Sequence, residues 1–132
     1  MNAINSAIYS ALSANSALIT ALGGTAIYHL QAPDNQALPY VVYSWQGGGG
    51  VNDNPHDDDE SIRFVRAYAA TAVQAGNIDA LINPLLHKAS LSVTGYRTVF
   101  CFREDDYESV DTPTNGERTY AMGGLYRIRI TK

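Results

Sequence analysis

SIRFVRAYAATAVQAGNIDALINPLLHKA, residues 61–89, is the stretch of sequence that decides the fold. Its first part, residues 62–70, is rich in β-branched and aromatic side chains and contains no Gly or Pro, which predicts a strand. Thr71 follows where the hydrophobic period changes, and its side-chain oxygen suits the N-cap of a helix. The stretch therefore predicts a strand that runs directly into a helix.

The second part of this stretch predicts an amphipathic helix. Its apolar residues fall at the spacing that places them on one helical face: Ile78, Leu81, Ile82, Leu85 and Leu86. Such a face must be covered, and the β-rich segments before and after it are the available partners. Pro84 removes one intrahelical hydrogen bond, so we expect either a kink or a restart of the helix with Asn83 as its cap.

The remaining elements are predicted by the same patterns. An Ala-rich N-terminal helix places Ile4, Ile8 and Leu12 on one face, and a further short helical piece ends at Gly23-Gly24. Strands are predicted over residues 25–30, 39–46, 62–70, 91–102 and 118–131, with a bulge or bend at Gly123-Gly124. We predict an α+β fold in the order α-β-β-β-α-β-β, as one domain over residues 1–132. A single antiparallel sheet carries two main helices on one face.

Length, charge and cysteine content restrict the class of protein. The chain has 132 residues, enough for one core, and 45% apolar against 17% charged residues indicates a globular domain. The net charge of −4 argues against sequence-blind nucleic-acid binding through a basic surface. Cys101 is the single cysteine, so no internal disulfide or CxxC metal pair is possible, and we interpret it as a packed residue. The N-terminus has no Lys or Arg and no long apolar run, so we expect neither a signal peptide nor a membrane span.

Two long connections are rich in acidic residues. Residues 47–60, GGGGVNDNPHDDDE, contain four glycines and five acidic residues and predict a mobile loop or an extended hairpin tip. Residues 104–117, EDDYESVDTPTNGE, predict a second acidic loop, in which Asn115-Gly116 is a turn signal. Loops of this length in a small domain are usually functional or disordered.

Two acidic clusters invite a chemical interpretation. Oxygen-rich side chains beside His56 are suited to a divalent metal, but the spacing of His56 to Glu60 matches no calcium loop. Glu104, Asp105 and Asp106 are candidates for acid–base work, but nothing in the sequence places a nucleophile or a pocket beside them. A solvated acidic surface is the preferred interpretation of both clusters. We therefore expect no catalytic residue, no metal site and no cofactor.

The tyrosines, Trp45 and the strand arginines leave two interpretations open. Aromatic side chains are concentrated on the predicted strands, where they serve either packing across strands or a protein interface. Arg127 and Arg129 alternate with aliphatic residues on the last strand, a pattern compatible with interface use.

Taken together, these segments resemble the tail-completion, or tail-terminator, family of long-tailed bacteriophages. The resemblance covers nearly the whole chain and rests on the order and spacing of several segments rather than on one diagnostic motif. After the Ala-rich helix these are Ile27-Tyr28, LPYVVY at residues 38–43, AYAAT at 67–71, the helix at 78–86, DDYE at 105–108 and YRIRI at 126–130. Pro84 and the run of four glycines depart from the pattern and affect local geometry.

The resemblance implies a structural virion protein, not an enzyme. Relatives form rings, commonly hexamers, that cap the head-proximal end of the tail tube and stop its polymerisation. The ring presents a surface to the head connector or adaptor proteins, and genomic DNA passes through its channel without sequence-specific binding. The implied partners are thus further copies of the chain, the tail-tube protein and the connector, with no membrane.

The candidate interface residues lie in the two acidic segments and on the last strand. They are Gly47, Gly48, Val51, Asp53, His56, Asp57, Asp58, Asp59, Asp105, Asp106, Tyr107, Arg127 and Arg129. Two alternatives stay open at this point. One is another ring component of the neck or tail, such as a head-completion adaptor or a tail-tube subunit, and the other is a small metal-binding module that uses residues 56–60.

Overall fold

A computed structural model describes residues 2–51, 58–112 and 117–132. Eight elements follow one another along these residues. They are α1 (Asn2–Ser13), α2 (Ser16–Leu22), β1 (Ile27–His29), β2 (Tyr40–Val51), β3 (Asp58–Ala69), α3 (Ala72–Leu86), β4 (Arg97–Asp111) and β5 (Thr119–Thr131). The predicted α+β class and order of elements are confirmed, with the N-terminal helical region divided into α1 and α2. Residues 53, 56 and 57 and the turn signal at 115–116 lie outside the described residues.

The five strands form one sheet in the order β1-β2-β3-β5-β4. All neighbouring strands are antiparallel except β1 and β2, which run parallel with Ile27 opposite Val41. The sheet is therefore mixed at one edge, where we predicted antiparallel pairing throughout. The parallel pair is possible because β1 has three residues, so the connection at 30–39 returns along only about 10 Å of strand.

The hydrophobic core lies between the helices and one face of the sheet. Every second residue of β3 from Ser61 to Ala69 is buried, and the residues between them are half-buried. On α3 the buried residues are Ala75, Ile78, Ile82 and Leu86, while Leu81 and Leu85 pack at the margin of the same core. The helical face predicted from the sequence is thus the face that covers the sheet.

The two ends of α3 differ in how far the sequence predicted them. Thr71 caps the N-terminus as predicted, because its Oγ1 accepts a hydrogen bond of 3.1 Å from the backbone N–H of Gln74. The helix does not restart at Asn83 but continues through Pro84 to Leu86. Pro84 lies in the last turn, where it removes only one hydrogen bond, and the N–H of His87 still bonds the carbonyl of Asn83 at 2.8 Å.

The two acidic segments are more regular than their composition predicted. Strand β2 continues to Val51 and β3 begins at Asp58, with Val51 opposite Asp58, so residues 47–51 and 58–60, the described parts of the first acidic segment, extend a paired β-hairpin. The segment at 104–117 is not a loop over its first half, because β4 runs to Asp111 and pairs with β5 throughout. Residues 104–111 are exposed, so their carboxylates remain in water while the backbone pairs. Conversely, residues 91–96, predicted as strand, precede β4.

No bulge occurs at Gly123-Gly124, where we predicted one. Both glycines are in continuous register with β3, and the irregularity nearby lies in β4 between Arg103 and Asp105. A Cβ on Gly123 would overlap the carbonyl of Val65, and a Cβ on Gly124 would lie 2.5 Å from the Nε of Arg103. Glycine is therefore required here by close packing between strands rather than by a bend.

Candidate interaction surface

The face of the sheet opposite the helices carries aromatic and arginine side chains. Residues paired across neighbouring strands point to the same side, so the half-buried residues of β3 share this face with their partners on β2, β5 and β4. The ring of Phe64 lies edge-on to Tyr107, with centroids 4.6 Å apart, and Tyr40 stacks on Tyr68 at 5.1 Å. We call this surface the open face. Among the described residues, the helices pack on the other side of the sheet.

An ion-pair ladder crosses the open face near the hairpin tip. Arg127 on β5 bonds Glu60 on β3 at 2.5 Å and Glu104 on β4 at 2.8 Å. Arg129 bonds Asp58 at 2.8 Å and lies 3.7 Å from Glu60. The hydrogen bonds that Arg127 donates to Glu60 and to Glu104 raise the pKa of Arg127, and the bond to Glu60 is the larger cause. The ladder ties three strands together where the β2–β3 hairpin extends.

Arg127 and Arg129 connect neighbouring strands of the same chain through ion pairs. Their guanidinium groups are neutralised by acidic side chains of neighbouring strands, so they hold β3, β4 and β5 in register before any partner binds. The surface that they offer to another protein is a mixed-charge surface rather than a basic one.

A pocket of about 380 Å³ lies on the open face, beside β2 and β3. We call it the Arg66 pocket. The Arg66 guanidinium lies 4.4 Å from the Phe64 ring centroid and 5.5 Å from that of Tyr68. Its Nε is buried and has no hydrogen-bond partner, which is costly for a charged group. The pocket is lined by the connection at residues 30–36 and by Tyr40, Val42, Arg66 and Tyr68.

Tyrosine hydroxyls near Arg66 remain protonated at neutral pH. Burial raises the pKa of Tyr40 and the pKa of Tyr68, and the positive charge of Arg66 only partly opposes this in both. Both hydroxyls are therefore available as hydrogen-bond donors, next to a guanidinium with an unused N–H.

On the helix side, Arg103 forms the most extensive polar cluster. Its Nη1 and Nη2 each bond one carboxylate oxygen of Asp79 at 2.9 Å, and Nη2 also donates to the carbonyl of Gly123 at 2.7 Å. Burial opposes the charge, but the hydrogen bonds and charge of Asp79, with Tyr126, raise the pKa of Arg103. Burial also raises the pKa of Tyr126 to about 12. The cluster joins α3 to β4 and β5 and has the character of a structural pair.

A second buried arginine connects α1 to the base of the hairpin. Arg63 is 1% exposed, and its Nη1 donates to the Oδ1 of Asn5 at 2.6 Å, while its Nε donates to the Oγ of Ser61 at 3.3 Å. Its guanidinium also lies 5.8 Å from the ring centroid of Trp45. Burial lowers the pKa of Arg63, opposed by the charge of Asp59. Strand alternation alone places Arg63 on the core side, but Asn5, which accepts from its Nη1, is 58 positions away in sequence.

A cavity of about 470 Å³ lies next to Cys101, whose thiol is not activated as a nucleophile. It is lined by residues 87–90 and 98–102, at the junction of α3 and β4. Burial raises the pKa of the Cys101 thiol to about 12, so the sulfur is neutral at physiological pH. The interpretation of Cys101 as a packed residue is confirmed, since it is 1% exposed.

The predicted site residues fall into three regions of the sheet. Gly47, Gly48 and Val51 belong to β2 and Asp58 and Asp59 to β3, so they flank the hairpin tip. Arg127 and Arg129 lie in the ladder, where Arg129 meets Asp58. Asp105, Asp106 and Tyr107 lie on β4 at the opposite edge, and Asp53, His56 and Asp57 lie outside the described residues. Arg66 was missed, although its alternation with Phe64 and Tyr68 was a readable signal.

Within residues 2–51, 58–112 and 117–132, no three His, Cys, Asp or Glu side chains are grouped so as to hold a metal ion. In the same part of the chain, no helix is long and apolar enough to span a membrane.

The sequence matches a family of phage proteins. The family model described as "Tail completion protein gp17" matches residues 6–129. The chain belongs to this tail completion family. The chain is accordingly a structural protein of a phage tail. The predicted family resemblance is thereby confirmed.

Solved structures share the fold of this tail completion protein. A chain of the "Virion of native gene transfer agent (GTA) particle" aligns with a TM-score of 0.72 and 19% identity, over 95% of this chain and 92% of that chain. A second solved chain, of no stated function, aligns with a TM-score of 0.56 and 13% identity, over 98% and 93% of the two chains. The search of curated proteins gave no match.

Proposed function

We propose that this protein forms a ring at the head-proximal end of the tail tube, where it ends tube polymerisation and joins the tail to the head connector. The observation that carries the proposal is the open face of the sheet, which presents aromatic side chains and arginines. Phe102 is 36% and Tyr107 is 37% exposed there. Aromatic and arginine side chains are the types enriched in protein interfaces.

A ring requires that one surface of the chain binds a different surface of the next copy. Such head-to-tail contacts close into a ring when the rotation between copies divides a full turn. One edge of the sheet is formed by the short strand β1 together with the part of β2 that extends beyond it, and the other edge is formed by β4. The two edges differ in length and charge, so they are unlike surfaces on opposite sides of the molecule. This asymmetry supports a head-to-tail ring, and the family resemblance implies six copies in it.

The hairpin tip and the acidic strand are suited to contacts beyond the ring. Segments that extend from a rigid sheet are well placed to reach an adjacent layer of the particle, such as the tail-tube protein or the connector. The net charge of −4 also suits a channel that DNA must pass without being held, since like charge repels phosphate.

Replacing the hairpin tip tests whether it joins the tail to its partners. In the altered phage, Asn-Gly replaces residues 52–57 and connects Val51 directly to Asp58 by a two-residue turn. We expect the purified variant to melt within about 3 °C of the wild type, because the described core is untouched. We expect the yield of infectious particles to fall at least about tenfold, with unjoined heads and tails visible by electron microscopy.

The matched control is a phage in which residues 52–57 are replaced by six residues of the composition Gly-Ser. This control keeps the length of the connection and removes its side chains. Normal yields from the shortened variant would contradict a joining role for the tip. Normal yields from the Gly-Ser control alone would mean that reach, rather than side-chain chemistry, is what the partner requires.

A further inference from the structure

The Arg66 pocket and the exposed half of β4 have complementary chemistry. The pocket holds a guanidinium that lies over the rings of Phe64 and Tyr68 and whose buried Nε has no hydrogen-bond partner. Residues 104–111, which we call the acidic strand, contain Glu104 and Asp106, which pair with Arg127 and Arg103. Asp105 and Glu108 of the same strand are exposed and form no ion pair with any described residue.

We infer that the Arg66 pocket receives the acidic strand of a second copy of this chain, with Asp105, which points to the open face opposite Leu125, as its carboxylate. The inference rests on the proposed ring and names the contact between its subunits. A carboxylate placed there would accept from the Arg66 Nε–H and from a tyrosine hydroxyl, which would satisfy the buried donor that the single chain leaves without a partner.

The positions of the two surfaces fit a head-to-tail contact. Val42, Arg66, Gly123 and Tyr107 are consecutive cross-strand partners and so form one row across β2, β3, β5 and β4. The pocket lies at the β2 side of this row, and Tyr107, with Asp105 two residues before it on the same face of β4, lies at its β4 end. The two surfaces are therefore at the same level on opposite sides of the sheet, as repeated side-by-side contact between copies requires.

The outer edge of β4 is accessible where the inference needs it. Inner residues of β4 are covered on this edge, because the N–H of Lys88 bonds the carbonyl of Cys101 and the N–H of Arg103 bonds the Nδ1 of His87. Beyond Arg103, no described residue bonds this edge, so residues 104–111 present both backbone and carboxylates to a neighbour. On the pocket side, Asp34 is exposed on the rim, in the 30–36 connection, whereas Arg66 projects from the sheet.

Charge exchange tests the contact. The full chain is prepared as wild type, as Arg66→Glu, as Asp105→Lys, and with both changes together. Assembly is measured by sedimentation velocity over a range of concentrations, with and without tail tubes. We expect the concentration needed for ring formation to rise at least about tenfold in the first two variants, because each places like charges in contact, and to recover in the combined variant.

Two further variants separate binding from folding. Arg66→Met removes the charge and its unbonded Nε, so we expect an unchanged or higher melting temperature together with weakened ring formation. Arg97→Met is the matched control, since Arg97 is an exposed arginine at the other end of β4, and we expect it to assemble normally. Rings that form normally from Arg66→Met and Arg66→Glu would overturn the inference while leaving the proposed ring intact. A wild-type chain that forms no ring under either condition would overturn both.

Discussion

Replacing Gly123 with alanine is expected to lower the free energy of unfolding by about 3 kcal/mol or more. The added Cβ would overlap the carbonyl oxygen of Val65 and lie 2.8 Å from the Cα of Arg66. Strand β3 cannot move away, because it is hydrogen-bonded to β2 on its other side. Unfolding in urea, followed by circular dichroism, measures the loss.

Gly49→Ala is the matched control for this substitution. Gly49 is also a glycine within a strand, but a Cβ built there meets no atom within 4 Å. We expect its free energy of unfolding to change by less than about 0.5 kcal/mol. Equal losses at Gly123 and Gly49 would show that close packing between β3 and β5 is not what requires glycine in β5.

Replacing Asp79 with alanine is expected to cost about 3 kcal/mol of folding free energy. Both partners of the Arg103–Asp79 pair are well covered, with side-chain exposures of 15% and 17%, and the substitution leaves the guanidinium without its bidentate acceptor. Arg103 also bonds the carbonyl of Gly123 and the hydroxyl of Tyr126, so the change loosens α3 from both strands beneath it. Chemical denaturation again gives the free energy directly.

Asp106→Ala is the comparison that isolates burial in this cluster. Asp106 bonds the Nε of the same arginine at 2.6 Å, but its side chain is 87% exposed. We expect a loss below about 1 kcal/mol, since exposed ion pairs are largely screened by water. If Asp106→Ala proved as damaging as Asp79→Ala, the attribution of stability to the covered bidentate pair would be wrong.

The parts of the fold that the sequence predicted are those in which burial follows a period. The stripe on α3 and the alternation of β3 both arise because one side of each element faces a core, and Thr71 is a cap whose chemistry is local. The parallel pairing of β1 was not predicted, because strand direction depends on the path of the connection rather than on side-chain pattern. The acidic composition of residues 104–111 predicted a loop, and this prediction was wrong, because their carboxylates are exposed while their backbone pairs with β5.

The candidate surface was predictable only in part. Runs of acidic residues predicted the two acidic segments as candidate interfaces. In the structure, the first segment flanks the hairpin tip, and the second forms one edge of the sheet. Arg66 lies in no run of charge; its alternation with Phe64 and Tyr68 is visible in the sequence, but its unbonded Nε and the pocket that it lines with residues of β2 are not. Likewise, Arg127 and Arg129 appeared as interface residues, but their carboxylate partners are up to 71 positions away in sequence. Such contacts become visible only when the strands are placed in order.

The mass of the purified protein in solution, alone and with growing tail-tube protein, tests the central proposal most directly. Mass photometry gives the size of the assembly, and electron microscopy gives the lengths of the tubes. We predict a closed ring in at least one of the two conditions and tubes whose growth stops once the protein is added. Open-ended filaments of the protein itself would make it a tube subunit. A strict monomer that leaves tube growth unchanged would contradict the terminator role.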